Sequence, residues 1–237
     1  GWIASASIPK GTIIYQQPPD ISIATSNLNA TTLQSELNKL SDCHRSAFDA
    51  LLSHRKFDNK LLDIFSCNAI IYQLPTQKDI SFAGLFLTFA KLNHDCNPNA
   101  RWFFDEFTFD DHANHIPLQL ITLKDISIGE EITVSYFDIV DKALPTRIRK
   151  YELFDRWGFH CTCRWCEIDG VTEKQMDDAL QKFGKFMDKC DYIILLQSAQ
   201  QTNNQDLWRL VYQFTNECLI MLTVLFNDDV SMLWKLY

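Results

Sequence analysis

Hydrophobic and polar positions change their spacing several times along the chain. Residues 1–19, GWIASASIPKGTIIYQQPP, alternate around a Pro-Lys-Gly turn, which predicts a short β-hairpin. Residues 31–73 show a helical stripe with spacings of three and four, formed by Leu33, Leu37, Leu40, His44, Ala47 and Leu51. Between residues 84 and 136, the segments LQLITL and EEITVSYF are rich in β-branched and aromatic residues, which predicts strands around the turn KDISIG.

Helical spacing returns in the last third of the chain. A short helix is predicted after Pro145, with Ile148, Tyr151 and Phe154 on one face. Beyond Gly170, two apolar stripes at helical spacing are separated by the polar segment QSAQQTNNQD. This arrangement predicts a C-terminal helical hairpin, whose stripes are packing surfaces.

Composition limits the classes of protein to which the chain can belong. With 237 residues, of which 46% are hydrophobic, it can bury a large core. Lys and Arg (22) against Asp and Glu (30) give a net charge of −8, so we expect no direct nucleic-acid partner. The longest late apolar run, CLIMLTVLF, is far shorter than the ~20 residues of a membrane span. The opening residues lack the apolar run of a signal peptide, so we expect none. We therefore expect no membrane partner and an intracellular location, with nucleus and cytoplasm both open.

Three of the eight cysteines are clustered. Cys161, Cys163 and Cys166 form the pattern C-x-C-x2-C in FHCTCRWC. Such spacings let the sulfurs face one point about 2.3 Å away, which suits a tetrahedral zinc ion better than disulfide bonds. Three thiolates leave one vertex open, and the segment NHDCNPNA offers Cys96 as the fourth ligand. His160 could replace one cysteine, and structural or free cysteines are the alternative.

Four motifs in order resemble the SET-domain protein lysine methyltransferases. NHDCNPNA, GEEITVSYFD and WGFHCTCRWC carry the resemblance, together with FSCNAIIY, which is similar to the Asn-Ala segment before the family's core. The likeness is greatest to the SMYD type and its fungal relatives, whose SET domain is split by an insertion. The SMYD type carries a MYND zinc module in that insertion. Residues 17–66 hold only Cys43 and two histidines, so we expect that module to be absent.

The resemblance implies an α+β fold with a β core of short strands and a threaded, pseudoknot-like loop. The SET domain would cover residues 1–170, with a largely helical insertion over 17–75 and a zinc-binding post-SET segment over 141–170. Residues 171–237 would form the C-terminal helical region. The opening segment GWIASASIPKGTIIYQQP resembles the family's first hairpin, and Gly1 matches the second glycine of its Gly-x-Gly turn. Part of that cofactor loop is therefore expected to precede Gly1.

The resemblance also implies methyl transfer from S-adenosylmethionine to the side-chain amine of a protein lysine, in a histone or another protein. Tyr136 would be catalytic, with its hydroxyl where the lysine amine meets the methyl sulfonium. The cofactor-binding residues would be Gly1, Trp2, Asn68, Asn93, His94, Tyr136 and Phe159. A structural zinc ion would be bound by Cys96, Cys161, Cys163 and Cys166. The substrate channel would be lined by Phe89, Phe137 and Trp157.

Several of these residues have a structural alternative. His94 could only brace its turn, and Phe159 and Trp157 could be core aromatics. Glu130 and Glu131 resemble a catalytic carboxylate pair but belong to a turn, so they are given no chemical role. The residues expected only to shape the loop are Asn97, Pro98 and Asn99. For the whole chain, the alternative function is a catalytically inactive SET-like module that binds a protein partner.

Overall fold

Short strands dominate the first part of the chain, and helices connect them. The computed structural model describes residues 1–54, 57–104, 115–137, 144–167, 173–174, 177–178 and 181. These residues belong to two units. The first contains Gly1–Tyr136 and Leu153–Phe159, and the second contains Phe137–Glu152 and the residues from His160 onward. The predicted C-terminal hairpin lies almost entirely outside the described residues.

Nine strands in the described part of the first unit form three small sheets. The strands are β1 (Trp2–Ile3), β2 (Ile13–Gln17), β3 (Ile21–Ala24), β4 (Ile70–Leu74), β5 (Gln77–Leu85), β6 (Asn93–His94), β7 (Ala100–Phe104), β8 (Leu118–Thr122) and β9 (Glu131–Val134). Their orders in the sheets are β1-β9-β6, β2-β8-β7 and β3-β5-β4. All pairs are antiparallel except β6 with β9, which is parallel.

The predicted hairpin over residues 1–19 is wrong. β1 pairs with β9, where Trp2 lies opposite Ile132, and β2 pairs with β8. The Pro-Lys-Gly turn does form, with Gly11 at a φ of +81°, a conformation that suits glycine. The alternation marked two half-buried strands correctly, but it carries no information about which distant strand each one pairs with.

The helical stretch predicted over residues 31–73 is confirmed in part. Its helices are α1 (Ala30–Leu37), α2 (Asp42–Asp49) and α3 (Lys60–Asn68), and each begins after a side chain that accepts hydrogen bonds from the first turn, namely Asn29, Ser41 and Asn59. The helices bury residues such as Leu33 and Phe48 in a core shared with β3 and β5. The helical prediction is wrong for residues 70–73, which belong to β4. His44 is exposed on α2, with Nδ1 3.6 Å from the Asp20 carboxylate.

The fourth described helix, α4 (Thr146–Trp157), begins directly after Pro145 as predicted. Its buried side chains are Thr146, Arg149 and Leu153, while Tyr151 and Phe154 on the predicted apolar face are exposed. Arg149 is buried because its guanidinium donates to the main-chain oxygens of Leu144 and Trp165 and to the hydroxyl of Thr146. None of the described helices is long and apolar enough to cross a bilayer.

A second core lies under the β1-β9-β6 and β2-β8-β7 sheets. Its buried members are Ala4, Tyr15, Phe86, Phe89, Leu92, Ala100, Leu118, Leu120, Ile126, Ile132 and Val134. Burying each large apolar side chain contributes about 1.5 to 3 kcal/mol relative to exposure. Ile132 and Val134 alternate with polar residues along β9, so the strand that leads to Tyr136 is fixed by packing on one face.

Candidate active site

The polar loop over residues 93–99 runs beside β9. In the parallel pair of β6 and β9, Asn93 lies opposite Thr133 and His94 lies opposite Val134. The N–H of Asp95 then donates to the main-chain oxygen of Val134 at 3.0 Å. The loop therefore starts as a strand partner of the segment that ends at Tyr136.

Asn99 ties the far end of the loop to the same strand. Its Oδ1 accepts from the N–H of Thr133 at 2.9 Å, and its Nδ2 donates to the main-chain oxygen of Glu131 at 2.8 Å. Nδ2 also donates to a carboxylate oxygen of Glu130 at 3.0 Å. Asn99 is buried and uses both ends of its amide, so it does more than shape a turn.

Gly1, Asn93 and Glu131 meet at one end of the β1-β9-β6 sheet. Asn93 is exposed, and its Nδ2 donates to Oε1 of Glu131 at 2.7 Å. A Cβ added to Gly1 would overlap the Glu131 carboxylate and lie 2.9 Å from Nδ2 of Asn93. The structure therefore brings together two predicted cofactor residues and adds Glu131, to which the sequence assigned no role.

Tyr136 follows β9 and is anchored at both its main chain and its hydroxyl. The hydroxyl donates to the main-chain oxygen of Leu92 at 2.6 Å, and the N–H donates to Nδ1 of His94 at 3.0 Å. Burial raises the pKa of Tyr136 to about 12, with the negative charge of Glu131 as a second cause. The hydroxyl therefore keeps its proton throughout the neutral pH range.

Three aromatic rings surround that of Tyr136. The ring centroids lie 5.3 Å away for His94, 5.2 Å for Trp157 and 6.2 Å for Phe159. Trp157 is oriented by its indole N–H, which donates to the main-chain oxygen of Cys67 at 3.1 Å. The structure thus gathers four of the predicted site residues into one aromatic group.

Two other predicted site residues have their contacts in the core. The indole N–H of Trp2 donates to the main-chain oxygen of Thr88 at 3.2 Å, and its ring lies 5.7 Å from that of Tyr15. Phe89 is buried, with its ring 6.3 Å from Tyr15 and 6.4 Å from Trp102. The structure does not place either residue among the rings around Tyr136, and their predicted roles stay predictions.

Asn68 and Phe137 are also held within the fold. The Nδ2 of Asn68 donates to the main-chain oxygens of Leu52 at 2.8 Å and Ile64 at 2.7 Å, so both of its N–H donors are engaged. Only its Oδ1 could receive a donor from a cofactor. Phe137 is buried, directly after Tyr136.

The cysteines of the C-x-C-x2-C pattern are close together. The sulfur atoms of Cys161, Cys163 and Cys166 lie within 4.8 Å of one another. Sulfurs around a tetrahedral zinc ion at about 2.3 Å are about 3.8 Å apart, so this cluster could hold zinc. In the first unit, Cys96 is buried and its Sγ lies 3.3 Å from Nε2 of His94.

Comparisons with known proteins show the family of the chain. A family model described as SET domain matches residues 1–137, and the chain belongs to that family. Histone-lysine N-methyltransferase set5 of Schizosaccharomyces pombe is 25% identical over 80% of this chain and 54% of its own length. A SET and MYND domain-containing protein of Dictyostelium discoideum is 42% identical over 36% of this chain and 22% of its own length. Protein-lysine N-trimethyltransferase SMYD5 of Danio rerio is 30% identical over 66% of this chain and 32% of its own length.

The matched regions therefore span at most about half of these relatives. Their names describe whole proteins, of which this chain corresponds to a part. Membership of the family follows from the match over residues 1–137, whereas activity, substrate and partners are matters for a proposal.

Proposed function

We propose that the protein transfers a methyl group from S-adenosylmethionine to the side-chain amine of a lysine in a protein substrate. The observation that carries this proposal is the position of Tyr136, whose hydroxyl is anchored and whose ring lies among those of His94, Trp157 and Phe159. Membership of the SET family supports it, as do relatives named as histone-lysine and protein-lysine methyltransferases.

The hydroxyl of Tyr136 is suited to orient an amine. Bound S-adenosylmethionine would supply an electrophilic methyl group on its sulfonium. Since the hydroxyl proton is engaged by the main-chain oxygen of Leu92, the lone pairs of the oxygen are left to accept an N–H from the substrate amine. This contact aims the nitrogen lone pair, and alignment of this kind is a large part of the rate of a displacement reaction. With a pKa of about 12, Tyr136 is not the base that removes a proton from the amine.

The aromatic group would also prepare the lysine. An apolar wall disfavours the charged ammonium and lowers the lysine pKa, which raises the fraction of neutral, nucleophilic amine. The faces of Trp157 and Phe159 can pack against the methylene stem of the lysine. Phe89 and Phe137 are proposed as further channel residues on the family resemblance alone.

The cofactor would be held at the end of the β1-β9-β6 sheet. The donor of Asn93 is engaged by Glu131, while its Oδ1 accepts no hydrogen bond in the described part of the chain and can accept from the ammonium of the methionine moiety. The main chain of His94, beside it on β6, would contribute further contacts. The other proposed cofactor residues are Gly1, Trp2, Asn68, Tyr136 and Phe159.

Replacing Asn93 by Ala should weaken S-adenosylmethionine binding. Loss of a polar partner from a buried ligand group costs about 1 to 3 kcal/mol, which is about 5- to 150-fold in Kd. Calorimetric titration of the wild-type chain and the variant measures the change. Asn27→Ala is the matched control, because Asn27 is exposed in the turn before α1. Equal affinities in Asn93→Ala and Asn27→Ala would remove Asn93 from the binding site.

A structural zinc ion is the second proposed ligand. In the second unit, the sulfurs of Cys161, Cys163 and Cys166 lie within 4.8 Å of one another, as the ligands of one metal ion would. Four thiolates satisfy the tetrahedral preference of zinc and leave no position for a substrate, so its role would be to hold the chain rather than to react. We propose Cys96 as the ligand that completes the three clustered cysteines, with residues 141–170 as the zinc-binding post-SET segment.

Methylation of a protein panel tests the proposed function. The wild-type chain is titrated with S-adenosylmethionine in a calorimeter, then incubated with a labelled methyl donor and a set of histones and other intracellular proteins. We expect binding and transfer of label to lysine in at least one protein. If the chain neither binds S-adenosylmethionine nor transfers label, the result would favour the alternative function, an inactive SET-like module that binds a protein partner.

A further inference from the structure

His94 connects two parts of the site through the two nitrogens of its ring. Nδ1 accepts from the N–H of Tyr136 at 3.0 Å, and Nε2 lies 3.3 Å from the sulfur of Cys96. We propose that the side chain of His94 is a positioning residue, which couples the state of the Cys96 sulfur to the placement of Tyr136. The inference rests on the proposed function, in which Cys96 binds zinc and Tyr136 orients the amine.

The contact with Tyr136 determines the tautomer of the ring. A backbone N–H can only donate, so Nδ1 of His94 must be unprotonated in order to accept it. A neutral imidazole then carries its proton on Nε2. Because Nε2 faces Cys96, that proton is directed at the sulfur, and the sulfur is the acceptor.

The strength of the hydrogen bond from Nε2 of His94 to the Cys96 sulfur depends on whether that sulfur binds zinc. A zinc-bound cysteine is a thiolate, and hydrogen bonds to a charged acceptor are shorter and about twice as strong as neutral ones. Polarisation passes through a chain of hydrogen bonds, so a stronger Nε2–H bond makes Nδ1 a better acceptor for the N–H of Tyr136. Loss of zinc from Cys96 should therefore loosen the main chain at Tyr136.

The same short segment holds Tyr136 at both ends. The hydroxyl is bound by the main-chain oxygen of Leu92, and the N–H is bound by His94 two residues later. With both contacts made, the ring of Tyr136 is fixed in place and in direction. Loss of the His94 contact leaves the hydroxyl bond but allows the main chain to shift, which should affect the rate of transfer more than the binding of substrate.

Two variants test separately the two hydrogen bonds of the His94 ring, to the N–H of Tyr136 and to the sulfur of Cys96. His94→Asn places an amide oxygen near the position of Nδ1 and is too short to reach the sulfur. His94→Gln can place an N–H donor near the position of Nε2 and lacks an acceptor near Nδ1. Zinc affinity is measured by competition with a coloured chelator, and the Tyr136 amide is followed by hydrogen exchange. Imidazole nitrogen shifts of the wild-type protein report the tautomer directly.

We expect opposite patterns in the two variants. His94→Asn should lower zinc affinity about 10- to 100-fold, as loss of an outer hydrogen bond typically does. At saturating zinc it should leave exchange at Tyr136 close to wild type, because its amide oxygen replaces Nδ1 as the acceptor. His94→Gln should keep most of the zinc affinity and raise Tyr136 exchange by about 2- to 13-fold, which corresponds to the loss of one ordinary hydrogen bond. It should also lower kcat with little change in KM.

A proton on Nδ1 of His94 in the wild-type spectrum would overturn the inference. Equal changes of zinc affinity and of Tyr136 exchange in the two variants would also overturn it. The spectrum keeps the inference testable even if a variant fails to fold. Zinc affinity, tautomer and exchange need no substrate, so failure of methyl transfer alone would remove the proposed enzyme and leave the coupling intact. A wild-type chain without zinc would overturn the coupling itself.

Discussion

Replacing Tyr136 by Phe should lower the rate of methyl transfer by about 10² to 10³, the usual contribution of one positioned polar group at a reaction centre. The substitution keeps the ring and its contacts with His94, Trp157 and Phe159, and deletes only the hydroxyl. The amine then loses the acceptor that directs its lone pair, while the desolvating walls remain. Single-turnover transfer from a labelled methyl donor, on a substrate found in the panel, measures the loss.

The same substitution should have small effects on stability and on cofactor affinity, because the ring of Tyr136 is kept. The main-chain oxygen of Leu92 loses its donor, so the free energy of unfolding should fall by about 1 kcal/mol. Tyr151→Phe is the matched control, because Tyr151 is exposed on α4 and has no proposed role in the reaction. Equal transfer rates in Tyr136→Phe and Tyr151→Phe would remove Tyr136 from the mechanism.

Local sequence patterns predicted the elements around the site better than their pairing. LQLITL and EEITVSYF form strands β8 and β9, and the helix after Pro145 forms as α4. These features depend on residues a few positions apart, which is the range over which propensity and periodicity act. The pairing of β1 with β9 joins residues about 130 positions apart, and no local pattern encodes it.

The candidate site was accessible from the sequence only as a set of motifs. The family resemblance selected Tyr136, His94, Trp157 and Phe159, and the structure places their rings together. The resemblance could not identify the acceptor of the Tyr136 hydroxyl, because that acceptor is a main-chain oxygen and any residue at position 92 offers one.

Glu130, Glu131 and Asn99 show a different limit. Two adjacent carboxylates after a glycine and an asparagine at the end of a loop are ordinary turn residues when taken separately. These residues act by binding residues of another motif, because the Asn99 amide donates to Glu130 and the Glu131 carboxylate accepts from Asn93. The sequence signal that could have suggested this was the recurrence of Asn and Glu in two motifs that both reach the β1-β9-β6 sheet.

Removing zinc should produce the second large effect. We expect about one zinc ion per chain by elemental analysis, because the four proposed cysteine ligands would complete one tetrahedral site. Structural zinc sites in small peptides contribute about 10 to 16 kcal/mol of apparent binding free energy, so a strong chelator should lower the melting temperature markedly. Cys163→Ser should do the same by removing one thiolate, and thermal unfolding with and without chelator measures both changes.

Cys43→Ser provides the control for the zinc prediction. Cys43 is exposed on α2 and stands outside the proposed ligand group, so its replacement should leave zinc content and melting temperature unchanged. Cys96→Ser tests the remaining ligand, and it should resemble Cys163→Ser rather than Cys43→Ser. If Cys96→Ser keeps full zinc content while Cys163→Ser loses it, the three clustered cysteines bind the ion with a different fourth ligand, and His160 becomes the residue to replace next. A wild-type protein that contains no metal and does not respond to chelation would contradict the zinc site altogether.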